Sequence, residues 1–161
     1  MSMKLKELRI EKELTQKEAA NLLGVSLRSY KQYENDKSKV ETVKYRYFID
    51  SLTKYKFIDE KHGILSLDKI KTIVSKVLSQ YDVSYCYLFG SYATNRAHDK
   101  SDVDLLVDTT VTGMDFFGLA EELREELHKK VDLLNQAQLT NNPTLIKEIL
   151  MKGLRIYVRK R

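Results

Sequence analysis

"YLFGSYATNRAHDKSDVDLLVD", residues 87–108, joins a Gly-Ser turn to two aspartates separated by a single residue. Two like charges held that close are unfavourable unless a cation lies between them. Ahead of the turn, "VSYCYLF" is rich in β-branched and aromatic residues and reads as a strand running directly into Gly90-Ser91. After it, "DVDLLVD" reads as a second strand. Side chains alternate along a strand, so Val103, Leu105 and Val107 share one face and Asp102 and Asp104 the other, about 7 Å apart at the backbone.

Working outward, "LDKIKTIVSKVLSQY" places Ile70, Ile73, Val74, Val77 and Leu78 on one helical face. An amphipathic helix over about 114–128 leads to "KKVDLLN", a third short strand carrying Asp132, and a helix over 144–152 and the strand "LRIYV" follow. Mg²⁺ is a hard cation that takes oxygen ligands and keeps substrate phosphate in its shell, so Asp102 and Asp104 can hold one such ion or two. Asp132 can complete a two-metal site or take a proton from an attacking hydroxyl. At the strand end, backbone amides and the Ser91 hydroxyl can cradle phosphate oxygens, with Gly90 letting phosphate approach the main chain.

This G-S-x₁₀-D-x-D layout with a later strand aspartate resembles the polymerase-beta-like nucleotidyltransferase superfamily, and more narrowly its minimal nucleotidyltransferase (MNT) group, over about residues 67–158. The resemblance implies that Gly90 and Ser91 hold a nucleoside triphosphate, that Asp102 and Asp104 bind Mg²⁺, and that Asp132 is the third acid, as base or shared ligand. ATP or another NTP would be the substrate, with an acceptor hydroxyl attacking the α-phosphate and pyrophosphate leaving. Where the family commonly has Ala-Arg-Gly, this chain has Ala93-Thr94-Asn95. Asn95 tolerates the left-handed backbone that glycine would adopt, and Arg96 or His98 stands in for the missing arginine at the triphosphate.

The first third has a different pattern. Leu5, Leu8 and Ile10 mark a helix over 3–12, and Thr15 with Glu18 fits a capping box. Ala19, Leu22 and Leu23 form an apolar side, and Gly24 ends that helix where a left-handed residue costs least. Val25 plugs the core, Ser26 caps a short helix "LRSYKQYEN", and Ser38 with Glu41 is expected to cap a longer helix running to about Tyr55. Two short helices about a glycine-containing turn suit insertion into a DNA major groove. "LRIEKELTQKEAANLLGVSLRSYKQYEND" resembles the lambda-repressor-like (Xre-type) helix-turn-helix family. By that resemblance Gln16 contacts the DNA backbone, Leu27, Arg28 and Gln32 face base edges, and Ser29 and Lys31 lie near phosphate. Tyr30 and Tyr33 read as packing.

The charge agrees with this division. Residues 1–58 hold 13 Lys/Arg against 8 Asp/Glu and residues 59–161 hold 15 of each, so the whole net charge of +5 lies in the first third. A basic module beside a neutral one points to a polyanion partner for the former. Between them, "YKFIDEKHGILSLDKI" breaks the helical pattern as a small hairpin or a linker, with a boundary near residue 60. The expected fold class is therefore α+β: an all-α helix-turn-helix domain over 1–60 and a small mixed-sheet α/β nucleotidyltransferase domain over 61–161.

Other classes fall away. One cysteine, Cys86, in an apolar run, rules out an internal disulfide framework or a cysteine-rich zinc site, and His62, His98 and His128 have no metal-ligand spacing. No apolar run nears the roughly 18 residues of a membrane span and the N-terminus lacks a signal-peptide core, so a cytoplasmic protein with no membrane partner is expected. The MNT likeness implies an antitoxin that transfers AMP to a HEPN-type toxin and represses its own operon. Its partners would be double-stranded operator DNA and a HEPN-type toxin, and a homodimer is expected because such domains read two half-sites. The alternative is a catalytically silent regulator using the nucleotidyltransferase fold as a ligand or partner sensor.

Overall fold

The computed structural model describes residues 4–160, so residue 3 of the first expected helix lies outside the described residues. The chain divides into two compact units, one running to Phe57 and one beginning at Ile58.

The first unit is all helix. It comprises α1 (Leu5–Glu11), α2 (Gln16–Leu22), α3 (Leu27–Asn35), a 3₁₀ turn (Lys37–Lys39) and α4 (Val43–Lys54). Thr15 and Glu18 form the expected capping box: Thr15 Oγ1 accepts from the Glu18 amide at 3.2 Å, and Glu18 accepts from the Thr15 amide at 2.8 Å. Gly24 turns the chain at φ +68°, and Ser26 caps α3 by accepting from the Ser29 amide at 3.1 Å. Leu5, Leu8, Ala19, Ala20, Leu23, Tyr30, Tyr45, Phe48 and Leu52 close into one core, with Tyr33 edge-on to Phe48 at 5.1 Å. Both tyrosines therefore pack, as expected. A buried polar tie crosses this core's margin. Arg9 grips Glu34 with two bonds of 2.8 and 3.0 Å, and the Gln16 amide donates to the same carboxylate at 3.0 Å. Burial pushes the Glu34 carboxyl up, but the bonds from Arg9 and Gln16 outweigh it and leave it below its ordinary value.

The start of α4 corrects the sequence expectation. Ser38 lies in the 3₁₀ turn and gives its hydroxyl to Asp36 at 2.7 Å, and Glu41 is exposed. The helix begins after Thr42, whose hydroxyl oxygen accepts from the Tyr45 amide at 3.2 Å. The reason is the stripe Tyr45, Phe48 and Leu52, which must face the core; a helix begun at Ser38 is pre-empted by the tighter Asp36 turn.

In the second unit the elements are α5 (Leu67–Leu78), β1 (Val83–Phe89), α6 (Gly90–Ala93), β2 (Val103–Thr109), α7 (Gly113–Leu127), β3 (Val131–Asn135), a 3₁₀ turn (Gln136–Leu139), α8 (Pro143–Lys152) and β4 (Leu154–Val158). The "DEKHG" stretch is a turn rather than a strand hairpin: the Asp59 amide donates to the His62 carbonyl at 2.9 Å, and the Lys61 amide to the Asp59 carboxylate at 2.9 Å. The sheet order is β3-β2-β1-β4, with β1 antiparallel to both neighbours and β2 parallel to β3. A parallel pair needs a long crossover, which the 15-residue α7 supplies. Together these elements make the α+β architecture with a mixed sheet that the sequence implies.

One sheet face carries Val103, Leu105, Val107, Leu88 and Cys86 and is covered by Ile70, Val74, Val77 and Leu78 of α5 and Leu119, Leu123 and Leu127 of α7. The opposite face is also partly apolar. Phe89, Leu106, Leu139 and Ile149 form a second small cluster there, under the last 3₁₀ turn and α8. No helix among the described residues is long and apolar enough to cross a membrane.

Because Thr42, not Ser38, satisfies the free amides of α4, Thr42→Ala should cost about 1 kcal/mol of stability. Ser38→Ala should stay within about 0.5 kcal/mol of wild type. Urea unfolding followed by circular dichroism measures both.

Candidate active site

Sheet register assembles the acids. Phe89 of β1 pairs with Asp104 of β2, and Asp104 pairs with Asp132 of β3, so the three lie in one row across the sheet. Side chains in such a row share a face, and neighbouring strands lie about 4.8 Å apart. Asp104 is half-buried, whereas Asp102 and Asp132 are exposed. The Asp104 carboxyl is pushed up to about 6, first by burial and then by the negative charges of Asp132, Asp102 and Glu148. Glu148, from α8, is an acid that the sequence reading missed; nothing in its helical spacing marks it out.

The turn and the carboxylates are fitted to one another. Gly90 starts α6 at φ +71°, and a Cβ built on it would lie 2.1 Å from Asp104 Oδ2. The space beside Gly90 is thus filled by the Asp104 carboxylate, a second demand for glycine beyond the approach of phosphate. Ser91 follows, partly buried, with its carbonyl accepting from the Arg96 amide at 2.9 Å. Asn95 has φ +56°, the left-handed conformation expected of it. The Arg96 side chain is exposed. His98 is engaged locally, its Nδ1 accepting from the Lys100 amide at 3.3 Å.

Three carboxylates, with Glu148 nearby, offer hard oxygen donors and an excess of negative charge, which is the donor chemistry of Mg²⁺. As placed, no three acidic, histidine or cysteine side chains among the described residues converge closely enough to hold a metal ion. The fit therefore lies in donor type and in the row shared by Asp104 and Asp132, with Asp102 immediately before β2. On the same face, next to Leu106, lies an apolar groove of about 460 Å³ lined by Tyr85, Tyr87, Ile146, Ile149 and Arg155.

In the helical unit, Leu27, Arg28, Lys31 and Gln32 lie exposed along one side of α3, and Ser29 is partly covered. Gln16 stands apart from these four in one respect: its amide nitrogen is already engaged by Glu34.

The raised Asp104 carboxyl has a definite consequence for pH. In the unfolded chain an Asp ionises near 3.8 and in the fold near 6, so ionising it costs the folded state. That cost is absent at low pH, grows between these values and is complete above about 6. Asp104→Asn should therefore raise the melting temperature of metal-free protein at about pH 7.5, and much less at about pH 4.5. An equal shift at both pH values in scanning calorimetry would count against it.

Residues 68–161 match the family profile described as "Polymerase beta, Nucleotidyltransferase", and residues 5–42 match a helix-turn-helix profile. Two Methanocaldococcus jannaschii proteins, provisionally named protein adenylyltransferases, are similar in sequence. One is 36% identical over 90 residues, covering 52% of this chain and 91% of that protein. The other is 32% identical over 92 residues, covering 56% and 97%. A solved toxin–antitoxin structure with AMP-PNP superposes at a TM-score of 0.48 and 26% identity, over 58% of this chain and 76% of that one. With its sheet row of acids behind a Gly-Ser turn, and a helix-turn-helix ahead of it, the chain belongs to the polymerase-beta nucleotidyltransferase family.

Proposed function

We propose that the protein is a Mg²⁺-dependent protein adenylyltransferase of the MNT antitoxin type, coupled to a DNA-binding helix-turn-helix. The observation that carries the reading is the row formed by Asp104 and Asp132, with Gly90 fitted against the Asp104 carboxylate. The names of the two similar proteins support the transfer of AMP to a protein. Asp102 and Asp104 hold one or two Mg²⁺ ions. Gly90 and Ser91 hold the triphosphate of ATP, with Arg96 reaching in from its exposed position. Bound Mg²⁺ supplies charge neutralisation on the phosphates and fixes their orientation. Asp132, exposed beside Asp104, shares the cation or accepts the proton of the acceptor hydroxyl as it attacks the α-phosphate in line and pyrophosphate departs.

Around this chemistry, Arg28 and Gln32 read base edges, with Leu27 against an apolar one, while Gln16, Ser29 and Lys31 meet the DNA backbone. The protein acts as a homodimer on its own operator, and a HEPN-type toxin is the acceptor. A catalytically silent regulator is the second reading, and the observation that favours it is the lack of convergence of the three carboxylates.

Incubation with Mg²⁺, α-labelled ATP and the toxin separates the two. Wild type should label the toxin, and Asp104→Ala should lose at least about 10²-fold of the rate; equal labelling by both proteins would sink the enzymatic reading. For DNA, Arg28→Ala should weaken operator binding and relax its base preference, whereas Lys31→Ala should weaken binding and lower its dependence on salt by about one phosphate contact. Fluorescence anisotropy across a salt series checks this.

A further inference from the structure

Lys129 is the longest charged side chain in the second unit's interior, with 0% of it exposed. It follows the left-handed His128 that ends α7 and precedes β3 by two residues. Burying an ammonium is costly, and burial lowers its pKa, with Asp59 and Asp99 opposing. A methionine would fill the same space without that cost. What the ammonium adds is two hydrogen bonds, to the Asp99 carbonyl at 2.6 Å and to the His62 carbonyl at 3.2 Å.

Those bonds bear on the acids. Asp99 lies in the loop between α6 and β2, three residues before Asp102. On the far side of Asp102, the Val103 amide donates to the Lys130 carbonyl at 2.9 Å. Lys129 and Lys130 therefore hold the loop at points on either side of Asp102, and Asp132 follows two residues later on the same short segment. The loop's other hydrogen bonds are local, among them the Ser101 amide to the His98 carbonyl and the His98 amide to the buried Ser101 hydroxyl, both 2.9 Å, and the Lys100 amide to His98 Nδ1, while Ala97 packs on the main core.

We propose that Lys129 is a positioning residue, which holds the loop before Asp102 at the spacing that Asp102 and Asp104 need against Asp132. The proposal rests on the nucleotidyltransferase reading for its consequence, but its structural half stands on the loop alone. Lys129→Met removes the two bonds and keeps the stem. The control is Val74→Ala, which trims α5 in the main core, away from the loop.

Hydrogen exchange of the Ser101 and Val103 amides tests the structural half without metal or nucleotide. Lys129→Met should speed both at least tenfold while leaving Leu88 of β1 unchanged, and Val74→Ala should not single out that pair. Mn²⁺ binding followed by electron paramagnetic resonance, with the metal alone, should weaken several-fold in Lys129→Met and not in Val74→Ala. In toxin labelling, kcat should fall at least tenfold with KM for ATP changed less than threefold. Unchanged exchange at Ser101 and Val103, or a Lys129→Met profile matching Val74→Ala in every readout, overturns the proposal. If wild type binds no Mn²⁺ and transfers no label, the nucleotidyltransferase reading fails and only the catalytic consequence falls with it; exchange at Ser101 and Val103 still decides whether Lys129 holds the loop.

Discussion

The Asp104 carboxylate occupies the volume that any side chain at position 90 would need, 2.1 Å from the place of its Cβ. This contact binds the two halves of the site into one object. Gly90 has to be glycine both for its backbone angle and for this space, so the end of β1 and the start of β2 can pair closely enough for Phe89 to lie opposite Asp104. From there the remaining register follows. Asp104 sits beside Asp132 because β2 and β3 run parallel, and they can run parallel because α7 spans the sheet between them. A slip of one residue in β2 would turn both aspartates into the main core and expose Val103, Leu105 and Val107. The large apolar face therefore protects the position of the acids, although it touches none of them.

Much of this was legible in residue order. Alternation in "DVDLLVD" separates acids from core, and the run "VSYCYLF", followed by Gly90, marks β1 to its last residue. Local capping chemistry was equally readable at Thr15 and Ser26, where the hydroxyl and its amide are three residues apart. It misled at Ser38, because a capping box is a local pattern and the start of α4 is decided by contacts of Phe48 and Leu52 with distant helices.

What could not be read was non-local. The row containing Asp132 depends on a parallel pairing 28 residues away from Asp104, and short strands such as "VDLLN" carry no sign of their partner. Alternation places Asp104 on the face opposite Val103, Leu105 and Val107 but does not show that Phe89 and Leu106 share that second face with a small core beneath α8. Glu148 and Lys129 were invisible for the same reason: each acts through space on a residue of another element. Gln16 shows the limit of a motif in the opposite direction. Its place in the pattern suggests a side chain given wholly to DNA, yet one of its two amide hydrogens is held by the carboxylate that Arg9 also holds, which leaves the other for phosphate.

The electrostatics of the three acids account for their difference in exposure. Asp104, half-buried against Gly90, bears the cost of desolvation and of the neighbouring carboxylates, and its proton affinity rises accordingly. Were Asp102 and Asp132 buried as well, the mutual repulsion would grow in a medium of lower dielectric constant, and the fold would need a partner for every charge. Leaving those two at the surface keeps the repulsion screened while the row itself stays fixed. The unfavourable charge that remains is a standing preference for any cation that reaches Asp104, since binding to the folded state alone relieves it and stabilises that state. On the proposed function, the same strain that weakens the metal-free fold is what draws the metal and its triphosphate to the one carboxylate whose position the glycine determines.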